Sequence, residues 1–178
     1  FDIDINGDGD KLDGPTLMAS RALAQRHGVP TLIHLAETRD ELQDAQKRLN
    51  ASPVGYLDKL GFLGAGVLAA HAVWVSEPEI AVLKSRGVGV SHNPESNMKL
   101  ASGAAPTAQL LKRGIRLGLG TDGAASNNRL DLFQEMRHAG RYLNKILLAG
   151  RHKFQVNRAV VRHQNKHLFV ELPFRDKK

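Results

Sequence analysis

Five residues whose side chains can bind a metal or move a proton lie at the ends of apolar runs. His34 and Glu37 occur in TLIHLAET, His71 in VLAAHAVW, His92 in VGVSHNPESN and Asp122 in LGLGTDGAASNN. Apolar runs that stop at a polar residue predict buried strands with chemistry at their carboxyl ends. Imidazoles and carboxylates that meet there suit a divalent metal and an acid–base pair. The chain has no cysteine, so nitrogen and oxygen ligands must hold any metal.

Alternating strand and helix patterns with short connections surround these residues. Ser76 and Glu79 form a capping-box pattern at the start of one helix, and Gly87 follows the end of that helix. Asn93 and Pro94 predict a turn directly after the third apolar run. The predicted strands cover residues 29–35, 66–73, 87–93 and 115–122. The predicted helices cover residues 15–27, 39–50, 54–60, 79–86, 106–113 and 130–150.

This alternation predicts an α/β fold in which parallel strands are joined by crossover helices. Four strands, each ending in a polar residue, fit half of a (β/α)8 barrel better than a dinucleotide-binding sheet. No G-x-G-x-x-G follows a strand, and no phosphate-loop lysine motif is present. A full barrel takes about 250 residues. The 178 residues of this chain therefore predict a partial barrel over residues 15–150.

The two ends of the chain differ from this middle part. Residues 1–14 form an acidic, glycine-rich segment in which Asp4, Asn6 and Asp8 have calcium-loop spacing, with Gly9 at the tight-turn position. Pro15 occupies the place of the bidentate glutamate, so a solvated acidic loop is favoured. Residues 151–178 form a basic tail whose apolar patch HLFVEL is a candidate edge strand.

The net charge of +7 belongs to the C-terminal part of the chain. Residues 137–178 contain eleven lysines and arginines against two acidic residues, whereas residues 1–136 contain fourteen basic and sixteen acidic residues. The tail lacks a recognisable nucleic-acid-binding fold, so a solvated tail is favoured over phosphate binding. His163 and His167 are spaced as ligands on one helix face, but a solvated basic face is again the favoured interpretation.

The membrane is not an expected partner. No apolar stretch approaches the roughly 18 residues that span a bilayer, and the chain does not open on a signal-peptide pattern. A cytoplasmic protein is the expectation.

The motifs HLAET, AAHAVW, SHNPESNMKLASGAAP and LGLGTDGAASNN together resemble the amidohydrolase superfamily. The similarity covers about residues 22–137 and is nearest to 5-methylthioadenosine/S-adenosylhomocysteine deaminases and their chlorohydrolase relatives. It implies that the four strands correspond to strands 5–8 of a (β/α)8 barrel. It also implies one divalent metal, zinc or alternatively iron, and hydrolytic deamination of an adenosine derivative.

The resemblance assigns a role to each site residue. His34 and Asp122 would be metal ligands, and Asp122 would also steer the attacking water. Glu37 would contact the purine N1 and shuttle a proton, and His71 would orient the water. Ser126 would lie near the purine edge.

His92, at the end of the third predicted strand, is a further candidate for substrate binding. Its role is less defined by the resemblance, and a structural role in the turn is the alternative.

One part of the family pattern is missing. The full site also needs an H-x-H pair, and no such pair occurs among the eight histidines of this sequence. A catalytic zinc normally takes three protein ligands, so His71 is a candidate third ligand. The alternatives to a deaminase are an inactive partial barrel that serves as a binding or assembly module, and a triazine-type chlorohydrolase. Because a half-barrel has open strand edges, self-association or a complementary half is also expected.

Overall fold

A parallel sheet forms the centre of the computed structural model, which describes residues 2–3, 14–149, 160–164 and 167–171. Its strand order follows the chain, β1-β2-β3-β4-β5, and every neighbouring pair is parallel. The strands are β1 Asp2–Ile3, β2 Thr31–Leu35, β3 Val67–His71, β4 Gly89–His92 and β5 Arg116–Leu119. The parallel α/β class and the four main strands predicted from the sequence are confirmed.

Helices connect these strands in the alternating pattern that the sequence predicts. They are α1 Gly14–Arg26, α2 Arg39–Leu49, α3 Pro53–Lys59, α4 Glu77–Arg86, α5 Pro94–Lys99, α6 Thr107–Lys112 and α7 Leu132–Ala149. An antiparallel pair, β6 Val160–Gln164 and β7 His167–Glu171, follows α7. No helix in the described part of the chain is long and apolar enough to cross a membrane.

Local sequence signals fix several helix ends. Thr38 accepts a hydrogen bond from the backbone of Glu41 at the start of α2, at 3.1 Å. Glu79 accepts the backbone N–H of Ser76 at 2.7 Å and completes the predicted capping box of α4. Gly87 ends α4 with φ 71°, a left-handed conformation that glycine adopts without steric cost. These caps stop each helix close to the next strand.

The core lies between the sheet and its helices. Strand residues such as Ile33, Leu35 and Val90 are fully buried, and so are the helix residues Leu57 and Leu83. Apolar residues along both faces of a parallel strand are expected when helices or loops cover the sheet. This packing leaves the carboxyl edge of the sheet as the place where polar side chains gather.

The structure corrects three local expectations. Asp2–Ile3 forms a strand parallel to β2 within the segment expected to be a loop. The turn predicted at Asn93 and Pro94 opens the short helix α5, because proline suits the first turn of a helix.

The third correction concerns the basic tail. His163 and His167 lie on two paired strands, so the shared helix face considered for them is wrong. The strand expected in HLFVEL is confirmed as β7. The calcium-loop spacing at Asp4, Asn6 and Asp8 lies outside the described residues. The division of the chain into an acidic segment (1–14), a partial barrel (15–150) and a basic tail (151–178) stays a prediction.

Candidate metal and catalytic site

The carboxyl edge of the sheet brings the predicted site residues together. His34 lies near the end of β2, His71 and His92 are the last residues of β3 and β4, and Asp122 follows β5 by three residues. Parallel strands end on the same edge, so residues far apart in sequence become neighbours there. Glu37 joins them from the connection between β2 and α2.

Three of these residues form a group with the geometry of a metal site, called here the candidate metal cluster: His34, His71 and Asp122. One ligand atom from each lies within 4.8 Å of the others. His34 Nε2 is 3.4 Å from Asp122 Oδ1, and His71 Nε2 is 3.8 Å from Asp122 Oδ2. The two imidazole rings stack with centroids 5.2 Å apart.

The donor set fits a divalent cation. Ligands bound at about 2.0–2.2 Å to a tetrahedral zinc lie about 3.3–3.6 Å from one another. His34 Nε2 and Asp122 Oδ1 have this spacing at 3.4 Å, and His71 Nε2 lies 3.8 Å from the other carboxylate oxygen, Oδ2. The buried Nε2 atom of His71 has no hydrogen-bond partner among the described residues. Two imidazoles and a carboxylate are ordinary zinc ligands, which supports the nitrogen and oxygen site expected from the sequence.

The backbone at these positions adopts unusual conformations. His71 has φ 69° and Asp122 has φ 61°, both in the left-handed region, and Ala36 beside Glu37 has φ 51°. Residues with a side chain rarely adopt this region, and such strain concentrates at functional sites. Glu41 stabilises the Ala36 conformation, because its carboxylate accepts the backbone N–H groups of Ala36 and Glu37 at 2.7 and 2.6 Å.

The cluster has an electrostatic character suited to a cation. Burial alone would raise the pKa of Asp122. Hydrogen bonds with His34 and Ser96, and the nearby His71, instead hold the pKa of Asp122 well below its ordinary range. Asp122 therefore stays ionised at every ordinary pH.

His92 differs from the two imidazoles of the cluster. Burial, together with electrostatic repulsion from His71, lowers the pKa of His92 to about 4. It lines a small pocket with Pro94, Asn97, Met98, Gly103 and His138. His92 is thus a buried neutral imidazole beside the candidate metal cluster, and a role in substrate binding stays a prediction.

Glu37 is held beside the cluster by a serine. Its Oε2 atom lies 3.7 Å from His71 Nε2, and its Oε1 atom accepts the hydroxyl of Ser102 at 2.8 Å. For Ser126 the structure gives a position in a loop and one backbone hydrogen bond. It lies half-buried in the loop between β5 and α7, where its backbone N–H donates to the carbonyl of Gly123.

Residues of the β4–α6 connection (residues 93–106) contact the site but were not singled out from the sequence. Ser96 donates its hydroxyl to Asp122 Oδ2 at 2.6 Å, and Asn97 Oδ1 is 2.8 Å from His71 Nδ1. Ser102 donates to Glu37. The available signal was the motif SHNPESNMKLASG, in which buried polar residues continue beyond the end of a strand.

A second polar group, called here the carboxylate network, lies on the same edge of the sheet. Glu135 of α7 is fully buried and accepts hydrogen bonds from Glu95 N at 3.1 Å and Asn127 Nδ2 at 2.7 Å. Gln134 donates to Glu95 at 2.8 Å. Burial, together with the charge of Glu95, raises the pKa of Glu135. This network joins α5, α7 and the loop between β5 and α7.

Comparison with known proteins identifies the family. The sequence pattern of the amidohydrolase family matches residues 11–161. This chain belongs to the amidohydrolase family. The resemblance inferred from its four motifs is therefore confirmed.

Two similar amidohydrolases are deaminases. The 5'-deoxyadenosine deaminase of Methanothermobacter thermautotrophicus is 52% identical over 123 residues, which are 69% of this chain and 29% of that protein. The 5-methylthioadenosine/S-adenosylhomocysteine deaminase of Pelotomaculum thermopropionicum is 53% identical over 117 residues, 66% of this chain and 27% of that protein. The chain thus spans less than a third of the length of these relatives.

A solved amidohydrolase structure shares the fold. An adenosine deaminase from Xanthomonas campestris with bound zinc superposes with a TM-score of 0.73 at 36% identity, and covers 78% of this chain and 31% of that protein. The parallel sheet of this chain is consistent with part of such a barrel. The correspondence to barrel strands 5–8 stays a prediction.

Proposed function

We propose that this chain carries part of the active site of a zinc-dependent deaminase that acts on an adenosine derivative. The observation that carries the proposal is the convergence of His34, His71 and Asp122 within 4.8 Å, with Glu37 beside them. Two imidazoles, a low-pKa carboxylate and a second carboxylate can supply metal ligands and a proton carrier for hydrolytic removal of an amine. The deaminase names of the similar amidohydrolases support the reaction class.

His34 and Asp122 would hold the metal in this proposal. They approach each other most closely in the cluster, at 3.4 Å. His34 lies on β2 and Asp122 follows β5, and β3 and β4 separate these two strands in the sheet. Zinc bound there supplies the positive charge that lowers the pKa of a water to near neutrality. The low pKa of Asp122 keeps its carboxylate ionised, and therefore able to bind the cation and to steer the attacking water.

His71 and Glu37 would act on the water and the substrate. His71 Nε2 faces both carboxylates, at 3.7 Å from Glu37 and 3.8 Å from Asp122, so it can orient a water placed between them. Glu37 would donate a proton to the ring nitrogen N1 as the water oxygen adds to the adjacent carbon. One proton of the water passes to the amine, the carbon–nitrogen bond breaks and the amine leaves as ammonia. The other water proton returns to Glu37 as the carbonyl forms, so Glu37 is restored.

Ser126 and His92 would contact the purine in this scheme. Ser126 lies in the same loop as Asp122, between β5 and α7, and His92 ends β4, the strand between β3 and β5. Both therefore belong to elements that border the candidate metal cluster. Their replacement is expected to change substrate affinity more than metal affinity.

We also propose that a second polypeptide surface completes the barrel. The sheet ends at the two-residue strand β1, and Leu130 and Phe133 expose 61% and 72% of their surface near the site loops. Open edges and apolar patches of this kind favour association with a second copy or a complementary half. Sedimentation of the purified chain tests this, because a compact monomer at high concentration would contradict it.

The first experiment measures metal per chain by plasma mass spectrometry on protein purified without a metal-affinity tag. We expect close to one equivalent of zinc, lost in His34→Ala and Asp122→Ala. His27→Ala is the matched control, since His27 is an exposed histidine that follows the end of α1, before β2 begins. Absence of metal from the unaltered chain would overturn the proposal.

The second experiment measures ammonia release from 5'-deoxyadenosine and 5-methylthioadenosine, and chloride release from atrazine as a triazine comparison. Release from the purines alone supports the deaminase, and reaction of atrazine alone supports the chlorohydrolase alternative. Bound zinc without turnover of any of the three would favour a binding or assembly module.

A further inference from the structure

The candidate metal cluster is held by side chains that belong to one short helix. Ser96 and Asn97 are neighbours in α5, and each is almost completely buried. Ser96 donates its hydroxyl to Asp122 Oδ2 at 2.6 Å, and Asn97 Oδ1 lies 2.8 Å from His71 Nδ1. Consecutive residues of one helix thus contact two side chains that come from different strands.

We propose that Ser96 and Asn97 are positioning residues: Ser96 sets the orientation of the Asp122 carboxylate, and Asn97 sets the tautomer of His71, for metal binding. The inference rests on the proposed metal site. It concerns residues to which the sequence motifs assigned no role. Groups that hydrogen-bond to metal ligands commonly change metal affinity as much as 10–100-fold (about 1.4–2.7 kcal/mol) when they are removed.

Asn97 determines which ring nitrogen of His71 carries a proton. An amide oxygen can only accept a hydrogen bond, so His71 Nδ1 must be the donor. In the neutral ring this leaves the lone pair on Nε2, the atom that faces Asp122 and Glu37 at 3.8 and 3.7 Å. Asn97 therefore presents the basic nitrogen of His71 to the place where the metal and water would lie.

Ser96 determines which oxygen of Asp122 faces the cluster. Its hydroxyl donates a hydrogen bond to Oδ2, while Oδ1 lies 3.4 Å from His34 Nε2. A hydrogen bond between a hydroxyl and a carboxylate at this distance is strong and directional. Loss of the hydroxyl would allow the carboxylate to rotate and would change the surroundings of His34.

The β4–α6 connection that carries these residues is itself anchored to the end of β3. Trp74 Nε1 donates to the carbonyl of Ser102 at 2.7 Å. A side chain at Gly103, where φ is +122°, would come within 3.0 Å of Val73 and 3.1 Å of Trp74. The connection therefore packs closely against residues 73 and 74, which follow β3, and a side chain at residue 103 would need an unfavourable backbone conformation and a shift of these neighbours.

The test begins with the metal-free chain, in which the imidazole nitrogens of His71 and His34 are observed by long-range ¹H–¹⁵N NMR at pH 8. We expect His71 to be protonated at Nδ1 in the unaltered chain. Asn97→Leu, which keeps a similar volume without an acceptor, should give a mixture of tautomers. Asn97→Asp keeps the acceptor and should restore the Nδ1 proton. Ser96→Ala should shift the nitrogen signals of His34.

The second measurement is the zinc dissociation constant, obtained by competition with a chromophoric chelator. We expect Asn97→Leu and Ser96→Ala to weaken zinc binding by about 10–100-fold. Ser102→Ala is the matched control. It removes a buried serine of the same connection whose partner, Glu37, lies outside the metal ligands, so zinc affinity should change less than about threefold. Circular dichroism confirms that each variant is folded.

The outcomes separate this inference from the proposed function. An unaltered chain that binds no zinc would remove the metal site, whereas the effect of Asn97 on the His71 tautomer would still stand. Unchanged His71 and His34 signals in folded Asn97→Leu and Ser96→Ala would overturn the inference even if zinc binds. Equal loss of zinc affinity in Ser102→Ala would also overturn it.

Discussion

The candidate metal cluster and the carboxylate network lie on the same edge of the sheet, yet the pKa values of their carboxylic acids shift in opposite directions. The pKa of Asp122 lies well below its ordinary range, whereas the pKa of Glu135 is raised. Asp122 has two imidazoles and a hydroxyl around it. Glu135 has backbone and amide N–H groups, but also a second carboxylate, Glu95.

This difference shows that burial alone does not make a functional site. Both acids lose hydration, and burial raises both pKa values. What separates them is the charge of their partners, since imidazoles favour the ionised form of Asp122 and Glu95 opposes the ionised form of Glu135. The first arrangement suits a cation, and the second suits a structural connection between α5 and α7.

The largest effect should appear when zinc is added. Free zinc at about 100 times its Kd should raise the free energy of unfolding by about 3 kcal/mol, because it binds the folded chain. Asp122→Asn should abolish this increase, and Glu135→Gln should keep it. Urea unfolding with and without zinc measures both. An equal zinc response in the two variants would remove the distinction between the two regions.

The next effect concerns the structural role of Glu135. Glu135→Ala leaves the backbone N–H of Glu95 and the amide of Asn127 without their buried acceptor, at a cost of about 2–3 kcal/mol in unfolding free energy. The control is Glu77→Ala, which breaks an exposed ion pair with Arg113 and should cost about 0.5 kcal/mol. Similar losses in both variants would show that the carboxylate network contributes no special stability.

The pH dependence of stability should have opposite signs in the two regions. Asp122 has a lowered folded pKa, so its contribution is present above its ordinary value of 3.8 and is lost as the pH falls through the folded value. Glu135 has a raised folded pKa, so its contribution is complete below 4.5 and is lost as the pH rises through the folded value.

Metal-free variants separate these two contributions. Asp122→Asn should flatten the loss of stability in acid, and Glu135→Gln should remove part of the loss above pH 4.5. Urea unfolding over a series of pH values measures both curves. A Glu135→Gln curve parallel to that of the unaltered chain would contradict the assignment.

The smallest effect should come from α7 away from both regions. Gly140 lies inside this helix, is exposed, and has no atom within 4 Å of an added Cβ. Gly140→Ala should therefore raise the free energy of unfolding by about 0.5–1 kcal/mol. Zinc affinity should not change, and a change measured by chelator competition would show that α7 influences the metal cluster.

Much of the architecture followed from local patterns. The apolar runs that end at His34, His71, His92 and Asp122 predicted four strands and their common edge, because strand and helix periods differ clearly in a parallel α/β chain. The capping box at Ser76 could also be predicted from the sequence, since it depends on residues only three positions apart.

The sequence did not predict how the site residues are held. The contact between Asn97 and His71 joins residues 26 positions apart, and the contact between Ser102 and Glu37 joins residues 65 positions apart. No periodic pattern encodes such pairs. The helix at residues 94–99 was also missed, because Asn93 and Pro94 suit a turn and a helix start equally well.

The left-handed backbone at His71 and Asp122 has a consequence for how this chain can change. With φ of 69° and 61°, both positions disfavour β-branched and bulky residues and accept mainly glycine, asparagine, aspartate and histidine. This restriction comes from steric contacts of the backbone and operates with or without a metal. Substitutions at residues 71 and 122 that keep the backbone unstrained are therefore limited to a few residue types. This limits which new side chains, and hence which new reactions, the site could acquire by substitution.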